Sequence, residues 1–367
     1  MKQITAIALS GGIDSLTAAY LLKQEGHHVI GIHFITGFET KDSHHHPSKS
    51  SKKSYPASFS VGQNSHSLEI ANIGTQLDIA VNIIDISTDF KLKIVDYFTH
   101  TYLSGKTPNP CLVCNPSIKF GVLLTYALKL GASRLATGHY ANISADSLGQ
   151  FHLLRGVDRK KDQSYFLSFL TQKQLAHACF PLGKMVKSNV KKLAKEKGLY
   201  PAVKKESQDI CFIKENRYQD FISQQLDFKA KPGNIVDCEG NILGRHNGLH
   251  LFTIGQRRGI NCPALQPYYV VRIDIKQNRL IVGLKKDLLS SNCKVSGINW
   301  IVEKPSSPLD VNTRVRYRHK AVGSRLIPDG DTSATIIFNT PQSAVTPGQG
   351  AVFYKDDEVI GGGWIDA

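Results

Sequence analysis

Through the first two hundred residues, short apolar runs alternate with stretches in which apolar positions recur every three or four residues. Residues 4–9 and 28–34 read as buried strands, and between them Leu16, Tyr20, Leu21 and Leu22 form a helical stripe with Gly26 as its C-cap. The same rhythm predicts a helix near 66–77, a strand at 79–86 and a helix from about 90 to 103. Residues 105–115 are dense in turn formers and read as an irregular loop, after which Pro116 takes the first position of a helix running to Leu130, stopped by Gly131. A short strand follows at 133–136, and a basic helix is expected around 190–197. Alternation of this kind predicts an α/β fold with an N-terminal doubly wound parallel sheet.

Two composition shifts interrupt the pattern. Residues 40–60 are rich in Ser, Lys and His, with three consecutive histidines from His44 to His46, and read as a mobile insertion with the capacity to touch RNA. From about Gln219 onward, Gly-rich turns and short β segments take over. Strands are expected at 280–282, 313–319, 334–338 and 351–354, giving a compact C-terminal antiparallel β-barrel. The expected organisation is a catalytic domain over 1–214, a small central domain over 215–280 and the barrel over 281–367.

Composition narrows the classes. The chain has 367 residues, 41% of them hydrophobic, which is enough for two or three cores. No apolar run approaches the length of a bilayer span and no signal-peptide core opens the sequence, so a cytoplasmic protein without a membrane partner is expected. The net charge of +15 points to a polyanionic partner. Seven cysteines in such a chain favour thiol chemistry or metal over disulfides.

The first candidate site is Ser10-Gly11-Gly12-Ile13-Asp14-Ser15, between a strand and a helix. A Gly-Gly turn into a helix N-terminus aims backbone N–H groups at one spot and favours a phosphate, with Ser10 and Ser15 adding hydroxyl donors. Asp14 reads as a magnesium-side group or an N-terminal cap. The lysine of a P-loop is absent. The loop instead resembles the S-G-G-x-D-S loop of the ATP pyrophosphatases (the PP-loop superfamily), which cleave ATP between the α and β phosphates and adenylate a substrate oxygen.

Further blocks make the resemblance specific. The order S-G-G-I-D-S, G-K-T-P-N-P-x-x-x-C-N with I-K-F-G, A-T-G-H-Y, K-D-Q-S-Y-F-L, S-Q-D-I-C-F-I, G-Q-R-R-G and T-P-G-Q is similar to that of the tRNA-specific 2-thiouridylases, the MnmA/TrmU family, and covers nearly the whole chain. The resemblance implies ATP-dependent replacement, by sulfur, of the C2 oxygen of the wobble uridine in tRNAs for Lys, Glu and Gln. It implies ATP and Mg2+ at Ala8, Leu9, Ser10, Gly11, Gly12, Ile13, Asp14 and Ser15, with Phe34 and Gly138 lining the adenosine. Many family members carry methionine where this chain has Phe34, and a phenyl ring serves equally as an apolar wall.

The resemblance also assigns the sulfur chemistry: Cys211 carries a persulfide, and Cys114 is its partner nucleophile, forming a transient disulfide on release. The chain departs from the family at Cys111, where many members have aspartate, and thereby gains a Cys-x-x-Cys pair. Cys111, Cys114 and Cys211 are then also candidate ligands of a 4Fe-4S cluster that would deliver sulfide without a protein persulfide. Spacing leaves the two routes open. For tRNA the family implies Lys161, Asp162, Gln163, His139, Arg316, Tyr317 and Gln349, with Asn109, Pro110 and Cys111 at the target base. Arg314, Arg316 and Arg318 alternate in an expected strand, which would make one phosphate-gripping face. A cysteine desulfurase or sulfur-relay protein is the implied sulfur donor. Two readings outside the class stand beside this one, a metabolite-adenylating synthetase and a non-catalytic RNA-binding protein. The first leaves the paired cysteines and the charge unexplained; the second leaves the intact loop unexplained.

Overall fold

The computed structural model describes residues 3–38, 65–203, 210–213, 218–224 and 229–366. The histidine-rich segment and Ser207 to Asp209 lie outside them. The N-terminal layer holds strands β1 (Ile4–Ala8), β2 (His28–Ile35), β3 (Val81–Asp85), β4 (Arg134–Ala136) and β7 (Ala178–Cys179), in the order β3-β2-β1-β4-β7 and all parallel. Helices on both faces explain why β1 is buried along nearly its whole length, Thr5 included, rather than on alternate residues. Helix α1 (Ile13–Gln24) packs Ala18 and Ala19 without exposure, and these small residues let it lie close to its neighbours. Helix α2 (Ser65–Leu77) adds Ile70 and Ile73 to the same core. The expected doubly wound sheet is therefore present.

The region expected to be a loop is partly helical. Helix α5 (Pro110–Cys114) starts on Pro110 at its first position, continues as a π-helical segment (Asn115–Leu123) and ends as α6 (Leu124–Lys129). Pro116 therefore does not open the helix. It has no N–H to give and its ring crowds the preceding turn, and the chain answers by widening that turn. Carbonyls in the widened stretch find partners elsewhere: Gln174 Nε2 donates to Pro116 O at 2.7 Å and to Phe120 O at 3.0 Å. Gly121 fits because a Cβ there would stand 2.9 Å from Pro116 O. Among the described residues, the run Pro110–Lys129 is the one helix whose length and composition would allow it to cross a bilayer, and its Leu112, Ile118, Phe120 and Leu123 are buried in the domain core.

Strands β5 (Ala141–Ala145) and β6 (Phe151–Arg155) form a hairpin directly after the sheet's active edge. A central four-stranded sheet follows, built from β8 (Gly233–Val236), β9 (Ile242–His246), β10 (Tyr269–Asp274) and β11 (Arg279–Gly283) in the order β10-β11-β8-β9. The strand expected at 280–282 thus belongs here and not to the barrel, because β11 pairs with β8 and β10; the expected boundary at 280/281 falls inside it. Strands β12 (Leu289–Trp300), β13 (Leu309–Arg314), β14 (Val322–Pro328), β15 (Ala334–Ser343), β16 (Gly350–Lys355) and β17 (Glu358–Ile365) make the antiparallel barrel, closed by pairing of β12 with β17. β17 also pairs with β6, so the hairpin of the first domain extends the barrel sheet. This shared sheet ties the barrel to the first domain.

Candidate active site

Ser10, Gly11 and Gly12 form the turn between β1 and α1, at the C-terminal edge of the sheet. Ala8 and Leu9 are buried beneath it, and Ser10 is exposed. Gly11 has φ +81°, and a Cβ on it would press on Ile70 and Val203 at 3.2 Å. Ser15 Oγ donates to Gly12 O at 3.0 Å and accepts from Ser10 N at 3.3 Å, which staples the turn to the helix. Gly138 faces this turn: a Cβ there would lie 2.9 Å from Asp14 C and Ser15 N. The exposed Ser10, the positive-φ Gly11, the free α1 N-terminus and the bare Gly138 fit a polyphosphate of ATP. Phe34, on β2, is half-buried at the same edge.

Asp14 does not cap α1, whose cap position is Gly12 without a side-chain bond. Its carboxylate instead accepts from Tyr140 Oη at 2.8 Å and from Lys187 Nζ at 2.7 Å on both oxygens. Lys187, the first residue of α8 (Lys187–Glu196), is buried. The expectation of a capping role is corrected by this ion pair.

The second cluster gathers thiols. Cys111 is exposed on the first turn of α5, and Cys114 is half-buried at its end. Cys211 is exposed at a turn closed by Ile213 N donating to Ile210 O at 3.0 Å. Its neighbour Phe212 is driven into an aromatic cluster with Phe90, Phe98 and Phe221, at centroid distances of 5.7, 5.3 and 5.4 Å. The anchored ring leaves the thiol outside. The Cys114 thiol is pushed up to about 12, chiefly by desolvation, against the pull of Lys119 and with Cys211 and Cys111 adding to the rise. Cys111 is likewise raised by its enclosure and drawn down by Lys119. A thiol that is solvent-accessible and yet heavily enclosed lines a cleft. Cys114 is therefore within electrostatic reach of both Cys111 and Cys211, although 97 residues separate it from Cys211 in sequence.

The cluster alternative does not fit this geometry. Among the described residues, no group of three or more His, Cys, Asp or Glu side chains is placed to hold a metal ion.

The residues expected at tRNA are divided between this cleft and the junction of the domains. Asn109 is buried, and its Nδ2 donates to Gln349 Oε1 at 3.4 Å; Gln349 Nε2 in turn donates to Thr107 O and Pro108 O at 3.1 and 2.9 Å. The barrel and the 107–110 segment thus meet at these two side chains, with Pro110 buried next to them. His139 is buried, its Nδ1 2.7 Å from Thr137 Oγ1 and its Nε2 3.3 Å from Lys119 Nζ. Lys161 is half-buried. Gln163 Oε1 accepts from Tyr140 N at 3.0 Å, and Asp162, 3% exposed, accepts from Gly156 N and Ser164 N at 3.1 Å.

The expected arginine face is not formed. β13 ends at Arg314, so the three arginines do not alternate along one strand. Arg314 lies 3.5 Å from Asp162, bonds to Tyr317 O and stacks over Tyr317 at 5.0 Å. Arg316 donates to Ile254 O at 3.0 Å and to Thr346 Oγ1, tying the central domain to the barrel. Tyr317 packs on Phe166 with centroids 4.3 Å apart. Arg314 and Arg316 are thus structural braces, because inward partners outcompete solvent for their fixed donors. Sequence reasoning missed Lys119 and Lys187. The first sits in the I-K-F-G block, and the second opens the basic helix; spacing alone does not mark either as inward-facing.

Comparison with known proteins agrees with this layout. A family profile described as "tRNA methyl transferase HUP domain" matches residues 3–215, "tRNA methyl transferase PRC-barrel domain" matches 219–284, and "Aminomethyltransferase beta-barrel domain" matches 290–365. The chain is 47% identical over 364 residues to a protein of Desulfosudis oleivorans named tRNA-specific 2-thiouridylase MnmA, covering 99% of this chain and 95% of that one. Proteins of the same name from Geotalea uraniireducens and Gloeothece citriformis are 41% and 42% identical, covering 100% and 98% of this chain and 95% and 98% of theirs.

Proposed function

The chain belongs to the tRNA-specific 2-thiouridylase family of tRNA sulfurtransferases, and on that premise we propose that it thiolates C2 of the wobble uridine in tRNAs for Lys, Glu and Gln through a cysteine persulfide. The observation that supports the reading is that Cys114 feels both Cys111 and Cys211, while Lys119 of the same helical run reaches His139, the residue after the Gly138 that packs on the Ser10–Ser15 turn.

A uracil oxygen is a poor leaving group, and bound Mg-ATP supplies its activation as an adenylate with loss of pyrophosphate. The turn Ser10 to Ser15 holds the phosphates, with Phe34 and Gly138 lining the nucleoside. Asn109, Pro110 and Cys111 receive the extruded base, and a base in an anticodon loop is already poorly stacked. Lys161, Asp162, Gln163, His139, Arg316, Tyr317 and Gln349 belong to the surface that meets the tRNA or to the contacts that shape it.

A cysteine desulfurase or sulfur-relay protein delivers sulfane sulfur to Cys211. Its terminal sulfur bonds to C2 while the C2–O bond breaks, and the electron pair leaves on the phosphate oxygen of AMP. The Cys114 thiolate then attacks Cys211 Sγ; the persulfide S–S bond breaks toward the transferred sulfur, which becomes the thiocarbonyl. The two cysteines are left as a disulfide, and an external thiol reductant restores them.

The test incubates the protein with unmodified tRNA, Mg-ATP and a persulfide donor, and reads nucleosides by mass spectrometry. Thiouridine formed without added iron supports the reading. ATP consumption on a small metabolite with no thiouridine overturns it.

A further inference from the structure

One cation stands between the two halves of this site. Lys119 lies in the π-helical stretch that begins after Cys114. Lys119 follows Cys114 by about one turn of this widened stretch. The side chain crosses to the end of β4, where Nζ is 3.3 Å from His139 Nε2. An ammonium has only protons to give, so His139 Nε2 is the accepting nitrogen, and Nδ1–H donates to Thr137 Oγ1 at 2.7 Å. His139 is thereby fixed as a neutral imidazole, in line with a pKa held well below its ordinary value by burial and by Lys119. The charge at this point of the cleft belongs to the lysine.

Its position relates it to both chemical steps. His139 follows Gly138, whose backbone packs against Asp14 and Ser15 of the phosphate turn. On the other side, Lys119 is near enough to Cys111 and Cys114 to draw both thiols toward ionisation.

Resting on the thiolation reading, we propose that Lys119 is a further residue of the sulfur-transfer step, its ammonium held by His139 so that it faces the negative charge passing from sulfur to the departing phosphate oxygen. The charge is wanted there because it faces groups that are anionic only during transfer, in an enclosed cleft where fixed charges act strongly.

Two variants separate charge from scaffold. Lys119→Gln keeps an N–H donor for His139 Nε2 but has no charge; Lys119→Arg keeps the charge. Single-turnover thiouridine formation on persulfide-loaded protein would be measured beside tRNA-dependent ATP–pyrophosphate exchange, tRNA binding and thermal unfolding. The expected result is a loss of about 100-fold in the transfer rate for Lys119→Gln with tRNA binding and melting temperature unchanged, and substantial recovery in Lys119→Arg. A Lys119→Gln rate equal to wild type overturns the proposal, as does an Arg variant no better than Gln with both unfolding early. Absence of thiouridine from the wild-type protein would overturn the thiolation reading instead.

Discussion

The ammonium of Lys187 lies 2.7 Å from both carboxylate oxygens of Asp14, directly behind the phosphate turn. The lysine side chain is only 9% exposed and the aspartate 34%, so the pair is buried at its lysine end and partly open to solvent at its aspartate end. The hydroxyl of Tyr140 adds a third donor at 2.8 Å. The aspartate is neutralised without being hidden, which removes its repulsion toward an incoming triphosphate. Replacing Lys187 by Met leaves that carboxylate uncompensated. Loss of a charge-assisted bond is worth about 1.5–3 kcal/mol, so the KM for ATP in pyrophosphate exchange is expected to rise by about tenfold or more. Asp14→Asn should cost less on top of Lys187→Met than alone, since the two act through one contact. Additive losses would mean that the pair is not a unit.

The thiols have distinct expected phenotypes. Cys211→Ser removes the proposed persulfide carrier and should abolish thiouridine while sparing pyrophosphate exchange. Cys114→Ser removes the group proposed to break the persulfide, so sulfur bonded to C2 should stay linked to Cys211. A tRNA–protein adduct should then appear on a non-reducing gel and vanish with dithiothreitol. Cys111 lines the cleft without a sulfur bond to make, and Cys111→Ser should lose less than either. An equally complete loss would return Cys111 to the sulfur chemistry.

A histidine at the barrel seam gives a pH signature. His152 on β6 donates to Glu358 of β17 through Nδ1 at 2.6 Å, with Asp146 3.4 Å from Nε2. The Glu358 bond is the main cause that raises its pKa above the ordinary 6.5, against some desolvation. Because the folded value lies above the unfolded one, the stabilisation is fully present below about pH 6.5 and fades as pH rises through the folded value. The melting temperature of wild type should exceed that of His152→Gln at pH 5.5 and converge with it in mildly alkaline buffer. A gap that is constant with pH would show that the contact is not ionic.

Much of this was legible in the chain because local chemistry and topology agree. The Ser10–Ser15 turn carries its own strand and helix, so its place at the sheet edge follows from the residues around it. The run Pro110–Cys114 was not legible: Pro116 reads as a helix start, and the side chain that tolerates it, Gln174, comes from 58 residues away. Arg316 read as one member of an exposed row because its partners, Ile254 and Thr346, belong to two other segments. Lys119 and Lys187 are two among 45 basic residues, and only packing distinguishes a cation turned inward from one facing water.

The turn's shape depends on a glycine outside it. A Cβ at Gly138 would meet Asp14 C and Ser15 N at 2.9 Å and Asp14 Cβ at 3.0 Å; two of those atoms are backbone, which cannot swing aside. Gly138→Ala must therefore push α1 away from the end of β4, at the turn proposed to hold the phosphates. Gly12, in the turn itself, has only Ser10 Oγ within reach, at 3.6 Å, and an extended backbone that any residue adopts. Gly12→Ala should accordingly fold with an unchanged melting temperature. Gly138→Ala should lose about 1–3 kcal/mol of stability, the usual cost of overpacking, together with most of its ATP-dependent exchange. Iodoacetamide labelling of Cys111 and Cys211 should stay at the wild-type rate, since neither is among the groups that a Cβ at Gly138 would meet. Should Gly138→Ala bind ATP as the wild type does, the close approach of β4 to α1 would not be what shapes the phosphate site.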